Sequence, residues 1–155
     1  MSEHKHDIDL LVSIDVVSAS ATIGQLSVAL GMKPTIDISH EMGSSRARGG
    51  VWSLTIWRLD SGCPSSAPIA EHIGALLKIF PAKALRNRSR LPPDVRIDLN
   101  IGVMATFFCH TLEIPSDYLR RLGEAGIDVT VAFYATCTEV EGKRNEKTRR
   151  RRSRR

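Results

Sequence analysis

At 155 residues the chain suits one domain with a single core, and its apolar fraction of 42% excludes a membrane-embedded or unfolded protein. The net charge of +5 is uneven: residues 143–155 hold nine basic side chains and one acidic, so the remainder is mildly acidic, with a net of −3. No run approaches the ~20 apolar residues that span a bilayer, and residues 1–6 lack a signal peptide's apolar stretch, so the expectation is a cytoplasmic protein without a membrane role.

Ile8, Leu10, Val12, Ile14 and Val16 alternate with Asp9, Leu11, Ser13 and Asp15, the pattern of a half-buried first strand. Asp7, Asp9 and Asp15 read as its solvated side. Ser18 or Ser20 is placed to cap a helix whose apolar face is Ile23, Leu26 and Leu30, with Gly31 at its end. Ile36-Asp37-Ile38 reads as a short second strand.

Residues 40–50 read as an exposed loop rich in Gly, Ser and Arg. Glycine backbone amides with Arg46 and Arg48 are a chemistry that holds anions, although the Walker spacing and its Lys-Ser/Thr ending are absent. The third strand follows, with Trp52, Leu54 and Ile56 on one side and Val51, Ser53, Thr55 and Trp57 on the other. The simplest assignment puts Trp52 in the core and Trp57 at a rim. The alternative makes Trp57 an exposed recognition aromatic.

Residues 60–68 form a loop, and Ile69, Ile73, Leu76, Leu77 and Phe80 then recur at helical spacing, with Pro81 expected to break or kink the helix. His72 on this helix reads as a satisfied or exposed histidine before a ligand. Val95, Ile97, Leu99 and Ile101 mark a fourth strand and residues 106–113 a fifth. Pro115 suits the first turn of a helix that buries Leu119 and Leu122, and Ile127, Val129, Val131 and Phe133 form a sixth strand. The class is α+β in the order β-α-β-β-α-β-β-α-β: a mostly antiparallel or mixed sheet with helices on one face, built of ferredoxin-like units. One domain spans residues 7–136, and residues 137–155 form a disordered basic tail.

Four motifs carry a resemblance. They are Gly31-Met32-Lys33-Pro34-Thr35 after an amphipathic helix, Gly50-Val51-Trp52-Ser53-Leu54 after a polar loop, Glu71-His72-Ile73-Gly74-Ala75-Leu76-Leu77, and Ile114-Pro115 followed by Leu119, Leu122, Gly126 and a strand closing at Tyr134. Together they resemble the bacterial domain-of-unknown-function family numbered 4279 over about residues 9–135. The resemblance implies the same fold and brings no catalytic residues. The segment 102–106 is shorter than the glycine-rich connection associated with that family.

Chemistry is sparse. Cys63, Cys109 and Cys137 form no C-x-x-C pair, which argues against a disulfide scaffold or structural zinc. Cys109 and His110, adjacent in an expected strand, point to opposite faces and cannot act as a nucleophile and its base. His4 and His6 lack a third ligand, and no cofactor motif or catalytic set stands out. Three functional readings remain. The first is a protein-interaction module of the immunity or accessory type, with an unknown protein partner. The second is a small-molecule or anion site, or an enzyme, at Arg46 and Arg48 with Trp52 or His72 lining a pocket. The third is salt-sensitive nucleic-acid binding through Arg149, Arg150, Arg151, Arg152, Arg154 and Arg155.

Overall fold

Two ten-residue apolar strands at the centre of one sheet decide the architecture. They are β1 (Asp9–Ser18) and β3 (Arg96–Ala105), which pair antiparallel along nearly their whole length. The computed structural model describes residues 8–46, 48–105 and 111–135. Between and around the central pair run α1 (Ile23–Leu30), β2 (Thr55–Asp60), α2 (Ile69–Asn87), α3 (Ser116–Glu124) and β4 (Asp128–Ala135). The strand order is β2-β1-β3-β4, with β2 antiparallel to β1 and β4 parallel to β3. This is an α+β fold with a mixed sheet. β1 and β2, joined through α1, are antiparallel neighbours, which departs from ferredoxin-like units, whereas β3-α3-β4 is a parallel crossover.

One face of the sheet is apolar because alternate residues of each strand share a side. Leu10, Val12, Ile14 and Val16 of β1 and Ile97, Leu99, Ile101 and Val103 of β3 are all buried. The helices close this face in a row, α1 against α2 and α2 against α3, contributing Leu26, Leu30, Ile73, Leu76, Phe80 and Leu122. Each such side chain stabilises the fold by roughly 1.5–3 kcal/mol relative to exposure. Leu119, expected inside, is 45% exposed, so α3 buries a narrower stripe than its spacing suggests.

The helix ends are chemically explicit. Thr22, not Ser18 or Ser20, caps α1: its side chain accepts from Gln25 N at 3.2 Å while Gln25 Oε1 accepts from Thr22 N at 2.8 Å. Ser18 and Ser20 instead donate to Asp94, at 2.9 and 2.7 Å. α2 does not stop at Pro81 and continues to Asn87. An interior proline costs about 3 kcal/mol, and the burial of Phe80 and Ala84 on either side of it holds the helix on the core. Beyond it, Asn87 Nδ2 donates to Leu30 O at 3.2 Å and Arg88 Nη1 to Ala125 O at 2.9 Å, so the end of α2 serves the C-terminal carbonyls of both neighbouring helices.

Two expected strands change. Ile36–Ile38 is a short 3-10 turn, closed by Ile38 N to Thr35 O and Ser39 N to Ile36 O. Three residues of alternation are too few to outbid these local bonds. Of the expected fifth strand, residues 106–110 lie outside the described residues and 111–113 are not in a strand. Asp7, His4, His6, Cys109, His110, Cys137 and the basic tail also lie outside them.

Candidate functional site

The assignment of the two tryptophans is reversed by the structure. Trp57 is fully buried, its Nε1 donating to Ser27 Oγ at 3.0 Å and its ring 6.1 Å from that of Phe80. It is neither a rim residue nor an exposed recognition aromatic. Trp52 is half-buried on an exposed hairpin, and it is the centre of the candidate site.

The hairpin grows out of β2. His40 and Ile56 exchange both backbone bonds, at 2.9 and 2.7 Å, and the chain then pairs with itself. Gly43 N donates to Trp52 O at 2.8 Å, Trp52 N to Ser44 O at 3.0 Å and Arg46 N to Gly50 O at 3.1 Å. Gly49 and Gly50 make the return at φ +77° and +92°, where a side chain is strained. The hairpin is also tied to the helix layer, because Glu41 Oε2 accepts from Ile23 N at 3.1 Å. That carboxylate satisfies an orphan amide at the positive end of α1.

On this frame the ring of Trp52 stacks on His40, with centroids 4.2 Å apart and planes 13° from parallel. The Arg46 guanidinium carbon lies 4.4 Å from the Trp52 ring, a cation–π distance. Met42, Val51 and Leu54 on the same hairpin are exposed, as is Arg48 near its tip. The hairpin thus carries a fixed tryptophan, three exposed apolar side chains and the positive charge of Arg46 and Arg48. The loop amides of Gly43, Ser44, Arg46 and Gly49 all donate to backbone carbonyls, which withdraws them from an anion cradle.

His72 does not join the hairpin. It lies in the first turn of α2, beyond the far end of β2, and is 1% exposed. Its Nδ1 is 2.6 Å from Ser61 Oγ, and its Nε2 has no partner among the described residues. A buried N–H without an acceptor costs more than an unused lone pair, so we assign the proton to Nδ1, donating to Ser61. Ser61 then accepts from the imidazole, the opposite of an activated nucleophile, and the pair fastens the loop after β2 to α2.

The sheet face away from the helices carries a second polar arrangement that sequence reasoning missed. Asp15, expected in solvent, is 2% exposed. Arg58 Nε donates to its Oδ1 at 2.6 Å and Arg58 Nη2 bonds its Oδ2, while Asn100 Nδ2 at 2.7 Å and Ser13 Oγ at 3.1 Å complete the shell. The bond to Asp15 raises the Arg58 guanidinium above its ordinary value, against the lowering effect of burial. The register foretells this cluster, since Arg58 pairs with Asp15 and Ser13 with Asn100, but only once strand order is known. His40 and Glu41 were missed because an irregular loop gives no periodicity from which to read a partner.

No family model, curated protein or solved structure matches the chain. Among the described residues no three His, Cys, Asp or Glu are placed to hold a metal ion, and no helix is long and apolar enough to cross a membrane. Two shallow surface grooves, one beside Leu112, Ile114 and Leu119 and the other beside Gln25, Val28 and Arg90, are lined by no residue of the hairpin.

Proposed function

We propose that the chain is a protein-interaction module of the immunity or accessory type, which docks on its partner through the hairpin of residues 40–57. The observation that carries this reading is the Trp52 ring held by His40 and Arg46 on a hairpin that also exposes Met42, Val51 and Leu54. Tryptophan and arginine dominate binding hot spots because a large rigid ring and a forked cation gain much contact for little lost freedom. The hairpin is held by the core and by Glu41, so it meets a partner with little ordering cost. The chemistry calls for a partner surface with an apolar centre and acidic flanks, complementary to Arg46 and Arg48. The anion-site reading at the same arginines is weaker, because the loop amides are taken and Arg46 is laid against Trp52.

The test is parallel affinity capture from nuclease-treated lysate of the source cells, with the full chain and with Trp52→Ala and Arg46→Ala as separate baits. A protein retained by the parent and lost from both variants is the expected outcome, followed by an affinity loss of about 30-fold or more for Trp52→Ala, the scale of a ~2 kcal/mol hot spot. Retention of that protein by both variants, with parent-like affinity, would remove the hairpin as the docking surface.

A further inference from the structure

The two edges of the sheet are finished differently. The outer side of β2 is covered by residues 35–40: Thr35 N donates to Arg58 O at 2.8 Å, Arg58 N to Ser39 Oγ at 3.0 Å, Asp60 N to Thr35 Oγ1 at 3.1 Å, and His40 pairs with Ile56. An unpaired strand edge is a template for another strand, and proteins that keep one exposed blunt it with lysine, proline, a bulge or a covering segment. β4, the other edge, has none of these among the described residues. It pairs with β3 on one side, its eight residues include no Pro, Gly, Lys or Arg, and its single charge is Asp128 at the start. Val129, Val131, Phe133 and Tyr134 are all exposed, Phe133 by 61%.

We propose that β4 pairs antiparallel with β4 of a second copy about a twofold axis at Val131, joining two sheets into one of eight strands. A twofold interface must be self-complementary, and the β4 sequence meets that demand. With Val131 opposite its own copy, Val129 faces Phe133 on the helix side, while Thr130 faces Ala132 and Asp128 faces Tyr134 on the other. On the helix side apolar side chains meet apolar ones, and on neither side do like charges stand opposite each other. A parallel pairing in register would set Asp128 against Asp128.

The hairpins, which continue from β2, then occupy the two outer ends of the joined sheet and remain free for partners.

Sedimentation velocity and light scattering on the full chain test this, with twice the 17.1 kDa monomer mass expected. Val131→Lys places two ammonium groups face to face at the axis and is expected to give the monomer mass with an unchanged far-UV spectrum, whereas Val131→Thr keeps the dimer. Residues directly opposite on antiparallel strands have Cα atoms about 4.5–5.5 Å apart, within disulfide reach. Mild oxidation should therefore cross-link Val131→Cys, but neither Thr130→Cys nor the parent chain. A parent chain of monomer mass overturns the proposal, as does a dimer that survives Val131→Lys without cross-linking at position 131. Where Val131→Lys fails to fold, the cross-linking pattern alone decides.

Discussion

Replacing each tryptophan in turn by alanine separates the core from the candidate site. Trp57 is fully buried, and a ring of its size hides about 150–250 Å² of surface, worth roughly 4–6 kcal/mol at ~25 cal/mol per Å². Measured costs of such truncations run at about 3–5 kcal/mol, and Ser27 Oγ would still donate to Ile23 O after losing the indole N–H. We therefore expect Trp57→Ala to cost about 4 kcal/mol, a large share of the ~5–15 kcal/mol of a typical domain, and to lower Tm by more than about 10 °C. Trp52→Ala removes one stack on His40 and one cation–π contact from a half-buried position, for a cost of about 1 kcal/mol. Urea unfolding followed by far-UV circular dichroism measures both. Tryptophan emission adds a second readout, since the ring left in Trp52→Ala should be shielded from acrylamide and the ring left in Trp57→Ala accessible to it. If Trp52→Ala proved the more destabilising, or if its remaining tryptophan quenched freely, the assignment of core and surface would be wrong.

Two further outcomes test the joints of the fold. Asp94 accepts from Ser20 Oγ, from Ala19 N and from Ser18 Oγ, and these bonds lower its carboxyl pKa to about 2. The unfolded value is about 4, so the unfolded chain takes up the proton first. The stabilisation is present above about pH 4 and is lost as pH falls from there toward about 2. Urea midpoints against pH should show a shallower acid limb in Asp94→Asn, and superimposable limbs would deny Asp94 this role. Gly126 has φ +64°, and an added Cβ would lie 2.5 Å from Arg88 Nη1, whereas a Cβ at Gly123 meets nothing within 4 Å. Gly126→Ala should cost at least about 1–2 kcal/mol from the left-handed backbone alone, and Gly123→Ala, inside α3, should be neutral or stabilise by up to about 1 kcal/mol. Equal thermal shifts for the two variants would deny Gly126 its left-handed conformation.

What was legible in the sequence follows from the range of each signal. The alternation of Leu10, Val12, Ile14 and Val16 and the helical spacing of Ile69, Ile73, Leu76 and Phe80 are local, and both give the right element and the right buried face. The strand around Trp57 was legible as a strand, but it begins at Thr55, and a bend at residues 53–54 takes Val51, Trp52, Ser53 and Leu54 off it. Which side faces the helices depends on where the chain leaves the sheet, and no local pattern states that. Reading the wrong side as core exchanged the roles of Trp52 and Trp57. The same blindness put Asp15 in solvent, because its partners Arg58 and Asn100 arrive from strands 43 and 85 residues away. At the candidate site the glycine pair and the two arginines were visible, whereas the His40 stack and the Glu41 anchor are tertiary contacts of an irregular segment. His72 looked like a pocket residue only because nothing in the sequence shows that β2 separates it from the hairpin.

The polar cluster on the open sheet face gains its meaning from where it leads. Asn100 on β3 and Ser13 on β1 donate to Asp15, whose carboxylate accepts from the guanidinium of Arg58 on β2 and so fixes that strand against the centre of the sheet. The backbone of the same Arg58 donates to Ser39 Oγ and accepts from Thr35 N, so the segment that covers the β2 edge is registered on it. The next residue along that segment is His40, whose ring is the floor on which Trp52 stacks. A desolvated ion pair of this kind adds little net stability over a well-packed apolar pair, yet its directional bonds specify one register where apolar contacts would tolerate several. With Glu41, the next residue on the same arm, fixing the hairpin on α1, Trp52 is held from both layers of the fold. A surface tryptophan kept in one orientation by both sheet and helix loses little freedom on meeting a partner, and that pre-organisation, more than exposure itself, is what favours the hairpin over the scattered apolar side chains of the helices as the docking surface.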